Sequence, residues 1–280
     1  MLKVATIVFL AVSFVVFGDA AGKILTGDGV SPLTVAWLRF LFGAIIIFPI
    51  SGIRLKELNG FKDWRVIVRG LFITAGIGSI LTALKTEPIA NVFGAFFIGP
   101  IVSYLIAVCF LGERSTYLRF MLLALGFIGV LLVVKPGAGA SVGMGFALFA
   151  GVCYGCYLAT TKLVADKYRP RFLLMSQLLI GTCVLTPVGV SAGLPKLNMS
   201  VFLLLLVSAC GSAIGNYLLV VSNRVANASL IAPLIYSQLI SATAVGVLLF
   251  DDWPDAYSLL GLVLIIVSGF GSIVFVMRAR

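Results

Sequence analysis

Apolar residues run along this chain in long blocks, interrupted by charged or Pro/Gly-rich breaks and without the period-two alternation of a half-buried strand. Ten blocks match the roughly 20 residues that a helix needs to cross about 30 Å of hydrocarbon. They are 4–25, 32–51, 66–84, 90–111, 117–135, 143–165, 171–191, 200–221, 228–250 and 256–277. Peptide groups in lipid find no water, so such spans bond their N–H and C=O groups internally, as helices. The first block has some features of a signal peptide: Lys3, an apolar core, then "GDAAG". Removing it would leave one half of the chain without a mate, so it is expected to stay as the first of ten helices.

Composition supports a chain solvated by lipid. Of 280 residues 61% are hydrophobic and 11% charged, against about 25% charged in soluble domains. The net charge of +10 would suit a polyanion, but its distribution says otherwise. With a cytoplasmic N-terminus, the inner segments hold fifteen cations: Lys3; Arg54, Lys56, Lys62, Arg65 and Arg69; Arg114 and Arg119; Lys162, Lys167, Arg169 and Arg171; Arg224; Arg278 and Arg280. The outer segments hold four, Lys23, Lys85, Lys135 and Lys196, and Arg39 lies within a helix. That asymmetry follows the positive-inside rule and predicts that both termini are cytoplasmic. The basic charge is then a topology signal, and no nucleic-acid partner is expected.

Metal and nucleotide chemistry lack their residues. The chain has no histidine, and its five cysteines all fall in apolar runs. Cys153 and Cys156 form a CxxC with no second pair to complete a metal site, so the cysteines read as small buried hydrophobes. There is no GxxxxGK[ST] to hold ATP phosphates. Asp251, Asp252 and Asp255 make the one tight acidic group, expected as a solvated turn around Pro254 in preference to a weak cation site. No metal and no cofactor are expected.

The two halves of the chain repeat. A shift of 138 residues superimposes Pro32 on Pro170, Gly43 on Gly181 and Pro49 on Pro187. Further along, "FLGE" (110–113) lies opposite "LFDD" (249–252), and Gly129 opposite Gly269. The first helix of each half carries a GxxxG, Gly18/Gly22 and Gly151/Gly155. Five helices are an odd number, so the second half (138–280) enters the membrane inverted relative to the first (1–137). Inverted repeats of this kind build many secondary transporters, with substrate held between the halves near the midplane. A duplicated scaffold or channel is the alternative.

The stretch "IANVFGAFFIGPIVSYLIAVCFLGER" (89–114) has a proline inside its helix and ends in Leu-Gly-Glu-Arg; "LLALGFIGVLLVVKPG" (122–137) then runs Gly-rich into Pro-Gly. Together they resemble the end of an EamA-type half in the drug/metabolite transporter superfamily. "LIYSQLISATAVGVLLFDDWPD" (234–255) is similar to the matching end of the second half, "AWLRF" (36–40) to the arginine-bearing second helix, and Lys23 to a lysine common at the end of the first. The resemblance implies ten helices, cytoplasmic termini, a bacterial inner (cell) membrane, and transport of small metabolites, often export of amino acids or related compounds. The chain departs from the pattern at Phe17, where a tryptophan is usual, at Asp19, where a small polar residue is usual, and at Leu239, where many second halves have proline.

Asp19, in "VVFGDAAGKIL" (15–25), is a carboxylate in a run otherwise fit for lipid. Arg39 lies seven residues into the second helix, and at about 1.5 Å per residue both groups sit roughly 10 Å below the outer surface. Intramembrane charges face a bundle interior and pair with one another, and Lys23 is an i+4 neighbour of Asp19. The three are expected to form one cluster lining the outer half of a cavity, either binding substrate or coupling ion, or bracing two helices. The second half offers neutral groups for the cavity wall: Tyr154, Tyr157, Thr160, Thr161, Gln177, Asn216, Tyr217, Tyr236, Ser237 and Gln238, joined by Asn91, Ser103 and Tyr104 from the fourth helix. Tyr168 and Tyr257 near helix ends read as interfacial anchors, and Phe93, Phe96 and Phe97 as lipid-facing in preference to the alternative, a part in the cavity wall.

A polytopic enzyme would need metal ligands or a clustered acid/base pair, and neither is evident. The expectation is a gradient-driven transporter of a small amphipathic solute, exporting amino acids or related compounds, with import of a vitamin or nucleoside-like cofactor as the alternative. Ten helices can enclose a cavity alone, so a monomer is expected.

Overall fold

A computed structural model describes residues 2–110, 117–135, 141–225 and 234–278. The described residues form helices and connections, with no strand among them. The first half holds α1 (Leu2–Gly27), α2 (Pro32–Ser51), α3 (Trp64–Leu84), α4 (Ile89–Phe96), α5 (Ile98–Phe110) and α6 (Tyr117–Val134). The second holds α7 (Val142–Val164), α8 (Pro170–Ser191), α9 (Met199–Val225), α10 (Gln238–Phe250) and α11 (Ala256–Arg278). Helices α4 and α5 together make the fourth span, and α10 the part of the ninth beyond residue 237. Counted this way, seven long apolar spans and three shorter ones match the ten runs. The boundary expected between residues 137 and 138, and the start of the ninth run at 228–233, lie outside the described residues.

Local chemistry sets the ends. Pro32 and Pro170 open α2 and α8 in matching positions, where a missing N–H costs no helical bond. Asp63 caps α3 by accepting from the Arg65 amide (3.1 Å), and Ser141 caps α7 by accepting from Met144 (3.0 Å). Between α2 and α3 the sequence suggested only a basic loop; residues Leu55–Lys62 instead wind into a short 3₁₀ helix.

The fourth span breaks where the sequence says it should. Pro100 cannot donate to the carbonyl four residues back, and the helix is interrupted at Phe97. The ninth span breaks at the equivalent place, Tyr236–Ser237, although Leu239 stands where a proline would be expected. Here i→i+3 bonds, from Leu239 N to Tyr236 O and from Ile240 N to Ser237 O (both 3.1 Å), carry the chain through the break.

Helix pairing exposes the repeat. Helix α1 packs along α9, and α7 along α3; exchange of the halves turns one pair into the other. Likewise α4 and α5 on α7 correspond to α10 on α1, and α3·α8 to α2·α9. The pairs α2·α8, α6·α11 and α4·α10 are their own mates. This is an all-α membrane fold of two inverted five-helix repeats. Small residues let the crossings close: a Cβ on Gly18 would come within 2.9 Å of the Ser208 carbonyl oxygen, and one on Gly151 within 2.5 Å of that of Phe96. The two GxxxG motifs therefore serve different contacts, α1 against α9 and α7 against the broken fourth span.

Candidate functional site

Between the halves lies a narrow cavity bordered by α1, α2, α3, α4, α7, α9 and α10. Asp19 and Arg39 stand in its wall, both nearly fully buried, and Arg39 Nη1 donates to Asp19 Oδ1. Arg39 Nε has no hydrogen-bond partner among the described residues. Phe93, Phe96 and Tyr154 supply aromatic surface, while Ser212, Asn216 and Gln238 supply hydrogen-bonding groups. About 60 Å³ is open to water, room for a few molecules and far below the roughly 300 Å³ at which ligand sites begin. The conformation is contracted around its charged pair.

Of the residues singled out from sequence, Asp19, Arg39, Tyr154, Asn216 and Gln238 meet at this cavity. Asn216 Nδ2 donates to the Ser212 carbonyl oxygen (2.8 Å), and the Gln238 side chain makes no hydrogen bond to a described residue, leaving its amide available. Lys23 turns the other way. Its Nζ donates to the Glu87 carbonyl oxygen (2.6 Å) and to Asp252 Oδ2 (3.1 Å), and lies 5.1 Å from the centre of the Phe250 ring. The expected three-charge cluster is therefore a pair, because the α10–α11 connection offers Lys23 a carboxylate that needs no second cation.

That connection is also more than a solvated turn. Asp252 holds Lys23, Asp255 pairs with Lys135, and Asp251 accepts from Trp253 Nε1 (3.0 Å). The hydrogen bond from Lys135, with those from the Ser258 amide and hydroxyl, holds the Asp255 carboxyl below its ordinary range.

Tyr157 and Gln177 assemble a second polar site, nearer the end of α3 that carries the basic segment. At its centre is Arg69, which sequence counting put among the loop cations and which is fully buried. Arg69 Nε donates to Thr161 Oγ1 (2.7 Å), Nη1 to the Leu173 carbonyl oxygen (2.8 Å), and Nη2 to Tyr157 Oη (2.8 Å) and Gln177 Oε1 (2.9 Å). Tyr157 also donates to Gln177 (3.0 Å), and its ring faces the guanidinium at 4.7 Å. The Tyr157 and Tyr154 rings stack at 5.8 Å, and Tyr154 meets Phe96 at 4.8 Å, so an aromatic ladder joins Arg69 to the cavity wall. The signal for Arg69 was its place inside the third apolar run, 66–84.

The remaining candidates lie outside the cavity lining. Asn91, on α4, has a buried Oδ1 without a partner among the described residues. Tyr104 on α5 is half-buried, and Tyr217 on α9 packs against the core. Tyr236 stacks on Phe97, ring centres 4.8 Å apart and planes within 21°. Phe93, Phe96 and Phe97, expected to face lipid, are buried; the break at Phe97 turns this helix face toward the second half.

The family model for the EamA-like transporter family matches twice, over residues 2–135 and 141–274. The chain is 25% identical over 250 residues to an S-adenosylmethionine uptake transporter of Rickettsia bellii, covering 89% of this chain and 85% of that one. It is 24% identical over 250 residues to a riboflavin transporter of Rhizobium johnstonii, covering 88% and 80%. A solved crystal structure, 16% identical, superimposes with a TM-score of 0.68 over 99% of both chains. Two matches of one family model, aligned with two halves that pack as mates around a charged cavity, make this chain a member of the EamA-like transporter family.

Proposed function

We propose that the protein takes up a small metabolite across a bacterial inner membrane by alternating access, with both termini cytoplasmic and one chain sufficient for transport. The observation that carries this reading is the cavity between the inverted halves, bordered by a buried ion pair, aromatic rings and unsaturated hydrogen-bonding groups. A cavity of that chemistry suits a small amphipathic solute. The named relatives favour import of a nucleoside-like cofactor or vitamin over export of amino acids, since one is an S-adenosylmethionine uptake transporter and another a riboflavin transporter. Substrate meets Asp19 and Arg39 on one side and Tyr154, Asn216 and Gln238 on the other, and a gradient supplies the driving force.

The test is counterflow in proteoliposomes with labelled S-adenosylmethionine and labelled riboflavin, followed by amino acids. Saturable exchange of one of the first two, lost in Arg39→Gln, is the expected result. Exchange confined to amino acids returns the export reading. Absence of exchange for every compound, by protein that remains folded, overturns transport of this class.

A further inference from the structure

We infer that Lys23 is a latch that holds the cavity shut on the membrane face opposite the N-terminus, acting on two half-helices hinged at the paired breaks. This rests on the transport reading above, and it assigns a part of the cycle to residues outside the cavity.

Helix α4 is the eight-residue half of the fourth span that ends at the break at Phe97. Helix α10 is the thirteen-residue part of the ninth span that follows the break at Tyr236–Ser237. Both carry cavity residues, Phe93 and Phe96 on α4 and Gln238 on α10. The breaks touch through the stacked Phe97 and Tyr236 rings. At each break the bonding tightens to include bonds three residues apart, from Phe97 N to Gly94 O (3.3 Å) and from Leu239 N to Tyr236 O (3.1 Å), so the half-helix can tilt there. Hinge positions of this kind absorb backbone rotation at element ends.

At the far tips the two half-helices meet one cation. Lys23, near the end of α1, bonds the Glu87 carbonyl oxygen just before α4 and the Asp252 carboxylate just after α10. Its side chain is 16% exposed and that of Asp252 25% exposed, so the pair is partly desolvated and less screened than a surface pair. The Glu87 carboxylate in turn accepts from Ser141 Oγ (2.5 Å) at the start of α7. Tilting either tip outward separates Lys23 from one partner, while the ring stack at the other end of the same half-helix stays as the pivot. Opening toward this face is thus opposed by one lysine with two partners.

The experiment uses the full chain in lipid nanodiscs, with its five native cysteines replaced and no substrate present. Spin labels at Asp28→Cys and Trp253→Cys read the separation of the α10 tip from the end of α1, and a second pair at Lys62→Cys and Asp166→Cys reads the opposite face. In Lys23→Gln and in Asp252→Asn the 28–253 distance should gain a longer population while the 62–166 distance does not. A cysteine at Ser212 should then react with maleimide about tenfold faster, the shift that a bias of about 1.4 kcal/mol produces. The double variant should go no further than Lys23→Gln alone, because the contact that Asp252→Asn breaks is already lost there. Unchanged distances in both single variants, lengthening at 62–166 instead, or additive effects in the double variant would each overturn the latch. Because these readings need no transported compound, a latch that responds in a protein without counterflow would sink the proposed function and leave the latch standing.

Discussion

Among the described residues two arginines are buried, Arg39 and Arg69, and their surroundings differ in kind. Arg39 on α2 is paired with a carboxylate and lines the cavity, and its Nε has no partner among the described residues. Arg69 on α3 is surrounded by neutral acceptors from α7 and α8, and its hydrogen bonds reach a hydroxyl, a phenol, an amide and a carbonyl. A guanidinium can be held in a low-dielectric setting by a counter-charge or by saturating its donors. The first arrangement leaves a dipole in the cavity wall and one buried donor without a partner among the described residues. The second spends nearly every donor on tying three helices together, as a brace requires. Burial alone does not separate site from scaffold; the unused hydrogen-bonding capacity does.

The largest effect is expected at the charged pair. Asp19→Asn leaves Arg39 buried without its counter-charge, and breaking a buried pair from one side costs about 3–5 kcal/mol. A thermal melt of the purified protein should show the largest drop of the series. Combining Asp19→Asn with Arg39→Gln should recover more than half of it, since no charge then remains unpaired. If the double variant melts as low as the single one, the two residues are not energetic partners. Should it melt well and exchange substrate yet fail to concentrate it against a gradient, Asp19 is the coupling group as well.

Arg69→Met should cost less, about 1–3 kcal/mol. It removes the charge together with its donors, and the Tyr157 hydroxyl can still bond Gln177. A loss larger than that of Asp19→Asn would reverse the ranking and make the inner site the more critical of the two. Tyr157→Phe sharpens the same point: it keeps the ring against Tyr154 but removes one acceptor, so the expected loss is about 1 kcal/mol. Counterflow should survive it if Arg69 only braces.

The smallest effect belongs to the ion pairs outside the membrane spans. Hydrogen bonding from Arg169 draws the Glu57 carboxyl down from its ordinary 4.5 to about 2. A group with a depressed folded pKa contributes fully above its unfolded pKa and loses that contribution as protons bind. Glu57→Gln should therefore lower the melting temperature slightly at neutral pH, and the difference from the parent should shrink as pH falls from about 4.5 toward 2. A difference that instead grows on acidification would exclude the Glu57–Arg169 pair as its source.

Much of this molecule is legible along the chain. Ten apolar runs of bilayer length require helices, since lipid leaves backbone groups no other partner. The order of Pro32, Pro49 and their mates marked the repeat, and Pro100 marked the break in the fourth span. Asp19 and Arg39 could be paired from depth alone, because two opposite charges at one level of a membrane have few alternatives. The second break lacked its proline and was invisible. It arises where Tyr236 stacks on Phe97 across the two halves, a contact between residues far apart in sequence.

Direction and company, by contrast, were settled by packing. Lys23 is one helical turn from Asp19, which sequence spacing reads as proximity; the fold brings Asp252, more than two hundred residues away, to its ammonium group. Arg69 sits among basic neighbours and reads as a topology signal until α7 and α8 close around it. Phe93 and Phe96 look suited to lipid and become cavity wall because the neighbouring helices cover that side of α4. Sequence determines which segments enter the bilayer, since transfer free energy accumulates along a single segment. Which polar groups meet inside depends on helix rotation and pairing, and those follow from contacts summed over the whole bundle.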